Sequence, residues 1–176
     1  MIFTETRLKG AFLLELERRE DDRGFFARSW CQKEFQTHDL NTAIVQCNIS
    51  FNRLKGTLRG MHYQAAPFDE AKLVRCTAGA LYDVIIDLRR GSATYKQHVG
   101  EVLSAANYRM LYVPEGFAHG FQTLEDNTEI FYQMSQFYSP EHARGVRYND
   151  PAFGIKWMIA DPVIADRDRD YADFPG

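Results

Sequence analysis

The feature of this sequence that most restricts its fold is a series of short apolar runs separated by turn-forming residues. Runs such as FLLEL, KLVRC, ALYDVIIDL and MLYVP alternate with EDDRG, RRGSAT and PEGFAHG. Runs this short, bounded by Gly, Pro, Asp and Ser, are typical of strands, whereas a helix needs a longer periodic stretch. Only CQKEFQTHDL indicates a clear helix, with minor helical turns near Pro140 and the C-terminus. The pattern predicts an all-β domain, either a sandwich or a small barrel.

Length and composition favour a single domain over residues 1–176. Apolar residues make up 45% of the chain, which is enough to build one packed core. The 24 acidic and 21 basic side chains give a net charge of -3, and the basic ones are dispersed, which disfavours a nucleic-acid-binding surface. The start, MIFTETRLKG, lacks the regions of a signal peptide, and no apolar run is long enough to span a membrane. We therefore expect a cytoplasmic protein that binds neither nucleic acid nor membrane.

The three cysteines predict neither a disulfide framework nor a zinc site. Cys31, Cys47 and Cys76 are odd in number, widely spaced and free of any CxxC pattern. We expect all three to be small buried apolar side chains.

Residues 42–52 alternate polar and apolar side chains, as a strand with two different faces does. Gln46, Asn48 and Ser50 share one face. The other face carries the apolar residues, namely Val45, Cys47, Ile49 and Phe51. The polar row has two interpretations, a solvated outer face or the lining of a ligand cavity.

Residues 129–138 form a second alternating segment. Tyr132, Met134, Gln136 and Tyr138 share one face of it. The two tyrosines therefore point the same way, either into the core with their hydroxyl groups hydrogen-bonded or into a cavity.

Two of the five histidines are candidates for chemistry. His119 lies in PEGFAHGF, whose P-x-G-x-x-H spacing resembles the second motif of the cupin β-barrel. The first cupin motif supplies H-x-H and a glutamate to a metal, but RGMHYQ offers only His62, so we predict a barrel without a metal site. The other three are expected at the surface: His38, which lies in the predicted helix, and His98 and His142, which lie beside polar or turn residues.

The stretch LRGMHYQAAPFDEAKLV brings Arg59, His62 and Lys72 close together in the sequence. A histidine near neutrality suits proton abstraction, and neighbouring cations can hold an anionic substrate or a developing oxyanion. Arg59 and His62 have opposite parity, however, and a regular strand would point them to opposite faces. We expect a bulge at Gly60 if both line one pocket.

Seven segments of the chain stand in a recognisable order: DDRGFFARSW, QCNISFNRLKGTLRGMHYQ, KLVRCTAGALYDVIIDLR, YVPEGFAHGFQTL, EIFYQMSQFYSP, YNDPAFGIKW and ADRDRDY. Together they resemble the dTDP-4-dehydrorhamnose 3,5-epimerase family over nearly the whole chain. The resemblance implies a cupin-type jelly roll that works as a homodimer with exchanged N-terminal strands. It also implies an isomerase that uses no cofactor and acts on a dTDP-linked 4-keto-6-deoxyhexose.

In that family the C4 ketone acidifies the hydrogens on C3 and C5, because either carbanion is delocalised as an enolate. The resemblance makes His62 the base and Asp168 the carboxylate that orients it, with Asp166 and Asp170 as alternatives. It makes Lys72 the group that stabilises the enolate oxygen. Tyr132 then returns a proton from the opposite face of the sugar.

The resemblance also implies a set of residues that bind the nucleotide sugar. Arginine suits a diphosphate because its guanidinium group is a charged fork. The set comprises Arg59, Gln46, Asn48, His119 and Tyr138, with Arg23 and Phe26 supplied across the dimer.

Three alternatives stay open at this point. The chain could invert C3 alone, it could be a metal-dependent cupin enzyme, or it could be a binding module without catalysis, which separation of His62 from Asp168 would favour. Two residues, Cys47 and Tyr148, depart from the family pattern. The segment AAPFDEAK, which ends at Lys72, departs from it as well.

Overall fold

The computed structural model describes residues 1–175, which form two packed β-sheets with two short helices. The first sheet has the strand order β1-β2-β10-β7-β12-β5, and the second has the order β13-β6-β11-β8-β9 with β14 paired to β6. A separate hairpin is formed by β3 and β4. The strands are β1 (Ile2–Glu5), β2 (Phe12–Glu15), β3 (Arg19–Asp21), β4 (Gly24–Phe26), β5 (Gln46–Asn52), β6 (Thr57–Gln64), β7 (Lys72–Ala78), β8 (Ala80–Asp87), β9 (His98–Ser104), β10 (Met110–Val113), β11 (Phe117–Thr123), β12 (Thr128–Met134), β13 (Ala143–Gly145) and β14 (Val163–Ile164); the helices are α1 (Gln32–Gln36) and α2 (Asp166–Arg169).

The core lies between the two sheets. Leu111 and Ile130 of the first sheet pack with Leu81, Ile85 and Phe121 of the second, and each of these side chains is buried. Strands alternate inward and outward side chains, so two sheets with apolar inner faces form a sandwich. The prediction of an all-β, cupin-type jelly roll with a few short helices is confirmed.

Each sheet is also covered on part of its outer side. Helix α1 covers the first sheet by placing Phe35 against Leu14 and Met110. The irregular chain after β13 covers the second sheet, where Phe153 and Phe174 pack near Val84. None of the helices in residues 1–175 combines the length and apolar character that crossing a bilayer requires.

Three predicted elements are longer than the elements in the structure. The strand predicted over residues 42–52 begins only at Gln46, and the one predicted over 129–138 ends at Met134. The helix predicted from CQKEFQTHDL covers only Gln32–Gln36, because a turn with Asp39 at φ 56° follows it. A residue in that conformation cannot continue a right-handed helix.

Strand β5 exposes its apolar row rather than its polar one. Ile49 is 66% exposed and Phe51 is 50% exposed, whereas Asn52 is buried and Asn48 is half-buried. The interpretation of the polar row as a solvated face is therefore wrong. The prediction for Cys47 is wrong for the same reason, since it lies in the outward row of an edge strand and is exposed.

The other two cysteines differ in burial. Cys31 is half-buried, so the prediction that it is buried is only partly correct. The reason is its place at the start of α1, near the surface. Cys76 is buried as predicted, and burial raises the pKa of its thiol to about 11.

Candidate active site

A β-bulge in β6 turns Arg59 and His62 toward the same space. His119 of β11 pairs with His62, and Phe121 pairs with Arg59, so two residues of β6 face a single residue of β11. The extra residue reverses the alternation of side chains between Arg59 and His62. Both line one cavity, and the predicted irregularity at Gly60 is present.

Glycine is required on both strands at the bulge. Gly60 has φ 137°, a conformation that residues with a side chain rarely adopt. A Cβ atom on Gly60 would lie 2.6 Å from the Cα atom of Gly120, and one on Gly120 would lie 2.8 Å from the carbonyl oxygen of Arg59. The close approach of the two backbones therefore depends on the G in LRGMHYQ and the G in FAHGF.

The cavity lies between the two sheets and has a volume of about 600 Å³. His62 and His119 reach it from the second sheet, and Lys72 and Tyr132 reach it from the first. The histidines and the tyrosine therefore stand on opposite walls. Seven of the predicted site residues line it: Arg59, His62, Lys72, His119, Tyr132, Tyr138 and Asp168.

Four predicted site residues do not line this cavity. The Gln46 side chain accepts a hydrogen bond from the backbone N–H of Tyr138. The Asn48 side chain lies 3.4 Å from the Met134 sulfur. Neither side chain lines the cavity. Arg23 and Phe26 lie on the β3–β4 hairpin with highly exposed side chains. The expected approach of these two to a nucleotide involves a partner chain and stays a prediction.

His62 and Asp168 are in direct contact. The Nε2 atom of His62 lies 2.8 Å from Oδ1 of Asp168, and Oδ2 of Asp168 accepts the N–H of Gly60 at 3.1 Å. Helix α2 carries this aspartate, whereas the alternative Asp166 is exposed and pairs with Arg169. The structure thus selects Asp168 among the three candidate aspartates as the contact of the histidine.

The protonation of this pair follows from its surroundings. Burial favours the neutral form of Asp168, but the hydrogen bond and charge of His62 and the Gly60 N–H outweigh burial and lower the pKa of the carboxyl group. An ionised carboxylate only accepts hydrogen bonds, so Nε2 of His62 carries the proton. In the neutral imidazole a proton on Nε2 leaves the lone pair on Nδ1, which can then accept a proton from a ligand.

A second histidine–aspartate pair lies beside the first. The Nε2 atom of His119 lies 2.7 Å from Oδ1 of Asp83, and both residues are buried. Our sequence analysis did not identify Asp83, although a charged residue inside the apolar run ALYDVIIDL was the pattern that could have indicated it.

Lys72 also has a buried acidic partner that our sequence analysis did not identify. Its Nζ atom lies 2.8 Å from Oε1 of Glu70, and both side chains are nearly inaccessible. Glu70 lies in the loop AAPFDEAK that departs from the family pattern.

Tyr132 is held as a neutral phenol. Burial is the main reason that its pKa is raised, the charge of Glu70 raises it further, and the charge of Arg59 opposes both. A protonated phenol on the wall opposite a histidine can donate a proton where the histidine accepts one.

Arginines add positive charge to the cavity. Arg59 uses its Nε atom to donate to Asn52 at 2.8 Å, which fixes the guanidinium group. Arg144 and Arg167 also line the cavity, and our sequence analysis did not identify either. Tyr138 reaches the cavity beyond the end of β12, so the parity argument that placed it there does not apply.

Among residues 1–175, no group of three or more His, Cys, Asp or Glu side chains is placed to hold a metal ion. The fold and the cavity together define a jelly-roll protein with paired acid and base groups on facing walls. The model of one family, dTDP-4-dehydrorhamnose 3,5-epimerase, matches residues 5–175. The chain belongs to this family.

Relatives of known name support the assignment. A dTDP-4-dehydrorhamnose 3,5-epimerase of Sinorhizobium fredii is 41% identical over 169 residues, which cover 96% of this chain and 87% of the relative. The crystal structure of the Bacillus anthracis enzyme with TDP and PPi has a TM-score of 0.94 at 42% identity, covering 98% of this chain and 99% of that one. A Legionella pneumophila dTDP-6-deoxy-D-glucose-3,5-epimerase in complex with dTDP-4-keto-L-rhamnose has a TM-score of 0.87 at 35% identity, covering 95% and 89%.

Proposed function

We propose that this protein epimerises a dTDP-linked 4-keto-6-deoxyhexose at C3 and C5. The observation that carries the proposal is the pair of proton-transfer groups on opposite cavity walls, His62 with Asp168 on one and Tyr132 on the other. Family membership and relatives that bind TDP or a dTDP-keto sugar support the substrate class.

The first step is abstraction of a proton from the carbon beside the ketone. His62 accepts this proton at Nδ1 while Asp168 holds Nε2–H and stabilises the imidazolium that forms. The electron pair left on carbon moves onto the ketone oxygen as an enolate, which the ammonium group of Lys72 stabilises.

The second step returns a proton to the opposite face of the same carbon. Tyr132 donates from its wall, and the configuration inverts because the proton leaves on one side and arrives on the other. Once His62 has released its proton to solvent and Tyr132 has regained one from it, the same sequence at the second carbon beside the ketone completes the conversion of dTDP-4-dehydro-6-deoxyglucose to dTDP-4-dehydrorhamnose.

Binding of the nucleotide is assigned to the cationic and aromatic residues of the rim. Arg59 suits the diphosphate, since a fixed guanidinium group can form two charged hydrogen bonds with it. His119 is assigned to the sugar and Tyr138 to the nucleotide base. Gln46 and Asn48 are assigned to hold the cavity wall, as their contacts with Tyr138 and Met134 suggest.

We further propose that the protein acts as a homodimer in the cytoplasm. The exposed apolar side chains of the edge strand β5, Ile49 and Phe51, suit burial against a second copy. The protruding β3–β4 hairpin could carry Arg23 and Phe26 to the partner's cavity. The solution mass of the wild-type protein tests the dimer. The same measurement on the Ile49→Asp variant should give the mass of a monomer.

Proton exchange in heavy water tests the function. Incubation with the dTDP-4-keto sugar should place deuterium at both C3 and C5, read position by position. Label at C3 alone would establish the C3-only epimerase instead, and no label at either carbon would overturn epimerisation. Stoichiometric iron or manganese that tracks activity would establish the metal-dependent alternative.

A further inference from the structure

Glu70 is a buried acidic residue in the cavity wall to which the proposed steps give no role. It is 7% exposed, and its two oxygens have different partners. Oε1 lies 2.8 Å from Nζ of Lys72, and Oε2 accepts the backbone N–H of Gln64 at 3.2 Å. Gln64 ends β6 and Lys72 begins β7, so Glu70 joins the two sheets at the edge of the cavity.

The charge of Glu70 acts first on Lys72. An ammonium group taken out of water favours its neutral form, and a carboxylate in contact with it reverses that preference. Only the charged ammonium can stabilise a negative oxygen effectively. The contact also restricts a flexible side chain to one place on the wall, which prepares it for a ligand in the cavity.

The same charge acts on Tyr132 from a greater distance. A nearby negative charge favours the neutral phenol, in the opposite sense to Arg59. The other ionisable groups that line the cavity with this tyrosine are His62, Tyr63, His119, Lys72 and Asp168 on the strands and α2, with Tyr138, Arg144 and Arg167 at the rim. Substitution of Glu70 changes the identity of none of these residues.

We propose that Glu70 is a positioning residue, whose carboxylate fixes the ammonium group of Lys72 on the cavity wall and whose charge also acts on the phenol of Tyr132 in the same cavity. The inference rests on the proposed function for the roles of Lys72 and Tyr132. It adds a residue that acts on both from the loop before β7.

The Glu70→Gln variant separates charge from shape. Glutamine has nearly the same size and still offers an oxygen to the Gln64 N–H, but it carries no charge. The matched control is Glu15→Gln, which removes the charge from an ion pair of similar length, 2.9 Å to Arg109, outside the cavity.

The first measurement is turnover between about pH 6 and pH 10, where a one-unit shift in a pKa corresponds to about a tenfold change. We expect Glu70→Gln to match the wild type within about threefold near pH 6 and to fall further below it as the pH approaches about 10, because the phenol of Tyr132 ionises at lower pH in the variant, with a smaller change in KM. The control should follow the wild type throughout. No loss at any pH would overturn the positioning of Lys72, and a loss that is constant with pH would overturn the action of the charge on Tyr132.

The second measurement needs no substrate and therefore separates this proposal from the proposed function. Ionisation of Tyr132 is followed by ultraviolet absorbance, as the difference between each protein and its Tyr132→Phe counterpart. The midpoint should be lower in Glu70→Gln than in the wild type, and an unchanged midpoint would overturn the proposal whether or not the protein turns over the keto sugar. If the glutamine variant does not fold, Glu70→Asp takes its place: it keeps the charge but shortens the side chain that holds Lys72, so turnover should fall while the midpoint stays near the wild type, and wild-type turnover there would overturn the proposal.

Discussion

The two histidine–aspartate pairs of the cavity have the same bond in different surroundings. The His62 side chain is 40% exposed, and its aspartate comes from the C-terminal segment, 106 residues away. The His119 side chain is 10% exposed, and Asp83 lies fully buried on the neighbouring strand β8. The two histidines pair across β6 and β11, so the two arrangements lie side by side.

The comparison shows that a hydrogen bond to an aspartate does not by itself make a histidine a catalytic base. An imidazole must reach the substrate and release its proton again, which requires access to the cavity. The exposed His62 meets that requirement more fully. Asp83 has one oxygen, Oδ2, that is buried without a hydrogen-bond partner among residues 1–175, which suits a rigid support for His119 and the wall.

Replacement of His62 by alanine should give the largest effect. We expect turnover to fall about 10³-fold, since a positioned base contributes at this level, with deuterium exchange at both carbons falling in parallel. His38→Ala, at an exposed position outside the cavity, should leave both rates unchanged. Wild-type turnover in His62→Ala, together with a large loss in His119→Ala, would reverse the assignment of the two pairs.

Replacement of Tyr132 by phenylalanine tests the wall that faces both pairs. Net epimerisation should fall about 10²-fold because the second proton donor is lost. Exchange of the abstracted proton with solvent should fall less, since His62 can still remove it and return it to the same face. Equal losses of exchange and inversion would mean that Tyr132 does not act after abstraction.

Replacement of Asp168 by asparagine tests the orienting partner of His62. Turnover should fall about 30-fold with little change in KM, because an amide does not stabilise the imidazolium as a carboxylate does. A KM increase without a turnover loss would assign Asp168 to binding instead.

The same variant has a defined pH dependence of stability. Because the pKa of Asp168 is lowered in the folded protein, its carboxylate contributes to the free energy of unfolding at every pH above the ordinary carboxyl pKa of 3.8. This contribution is lost as the pH falls through the lowered pKa. The urea midpoints of wild type and Asp168→Asn should therefore differ at neutral pH and converge in acid. A difference in urea midpoint that does not change with pH would contradict the assignment of Asp168 as an ionised carboxylate.

Replacement of Asp83 by asparagine should give the smallest effect on turnover, within about threefold. The free energy of unfolding should instead decrease by about 1–2 kcal/mol, because a buried charged hydrogen bond is exchanged for a weaker one. Urea unfolding and turnover of the same preparation check the two expectations. A turnover loss as large as that of Asp168→Asn would remove the distinction between the pairs.

Much of the fold could be predicted because it depends on local sequence, whereas most of the site residues, including the distant Asp168, were predicted from the family resemblance. Short apolar runs predicted the sandwich, and the G in LRGMHYQ predicted the bulge that unites Arg59 with His62. Features set by long-range packing could not be obtained in this way. The outward apolar row of β5, the early end of β12 at Met134 and the contact of Asp83 with His119 depend on which neighbour each strand has.

The C-terminal segment that carries Asp168 is bound to the rest of the fold both before and after this residue. Strand β14 pairs with β6 before it, and after it Phe174 donates its N–H to Asp150. A ribosome therefore releases every strand that bounds the cavity before it releases the carboxylate that orients the imidazole. The contact between His62 and Asp168 can therefore form only after every strand that bounds the cavity has been synthesised.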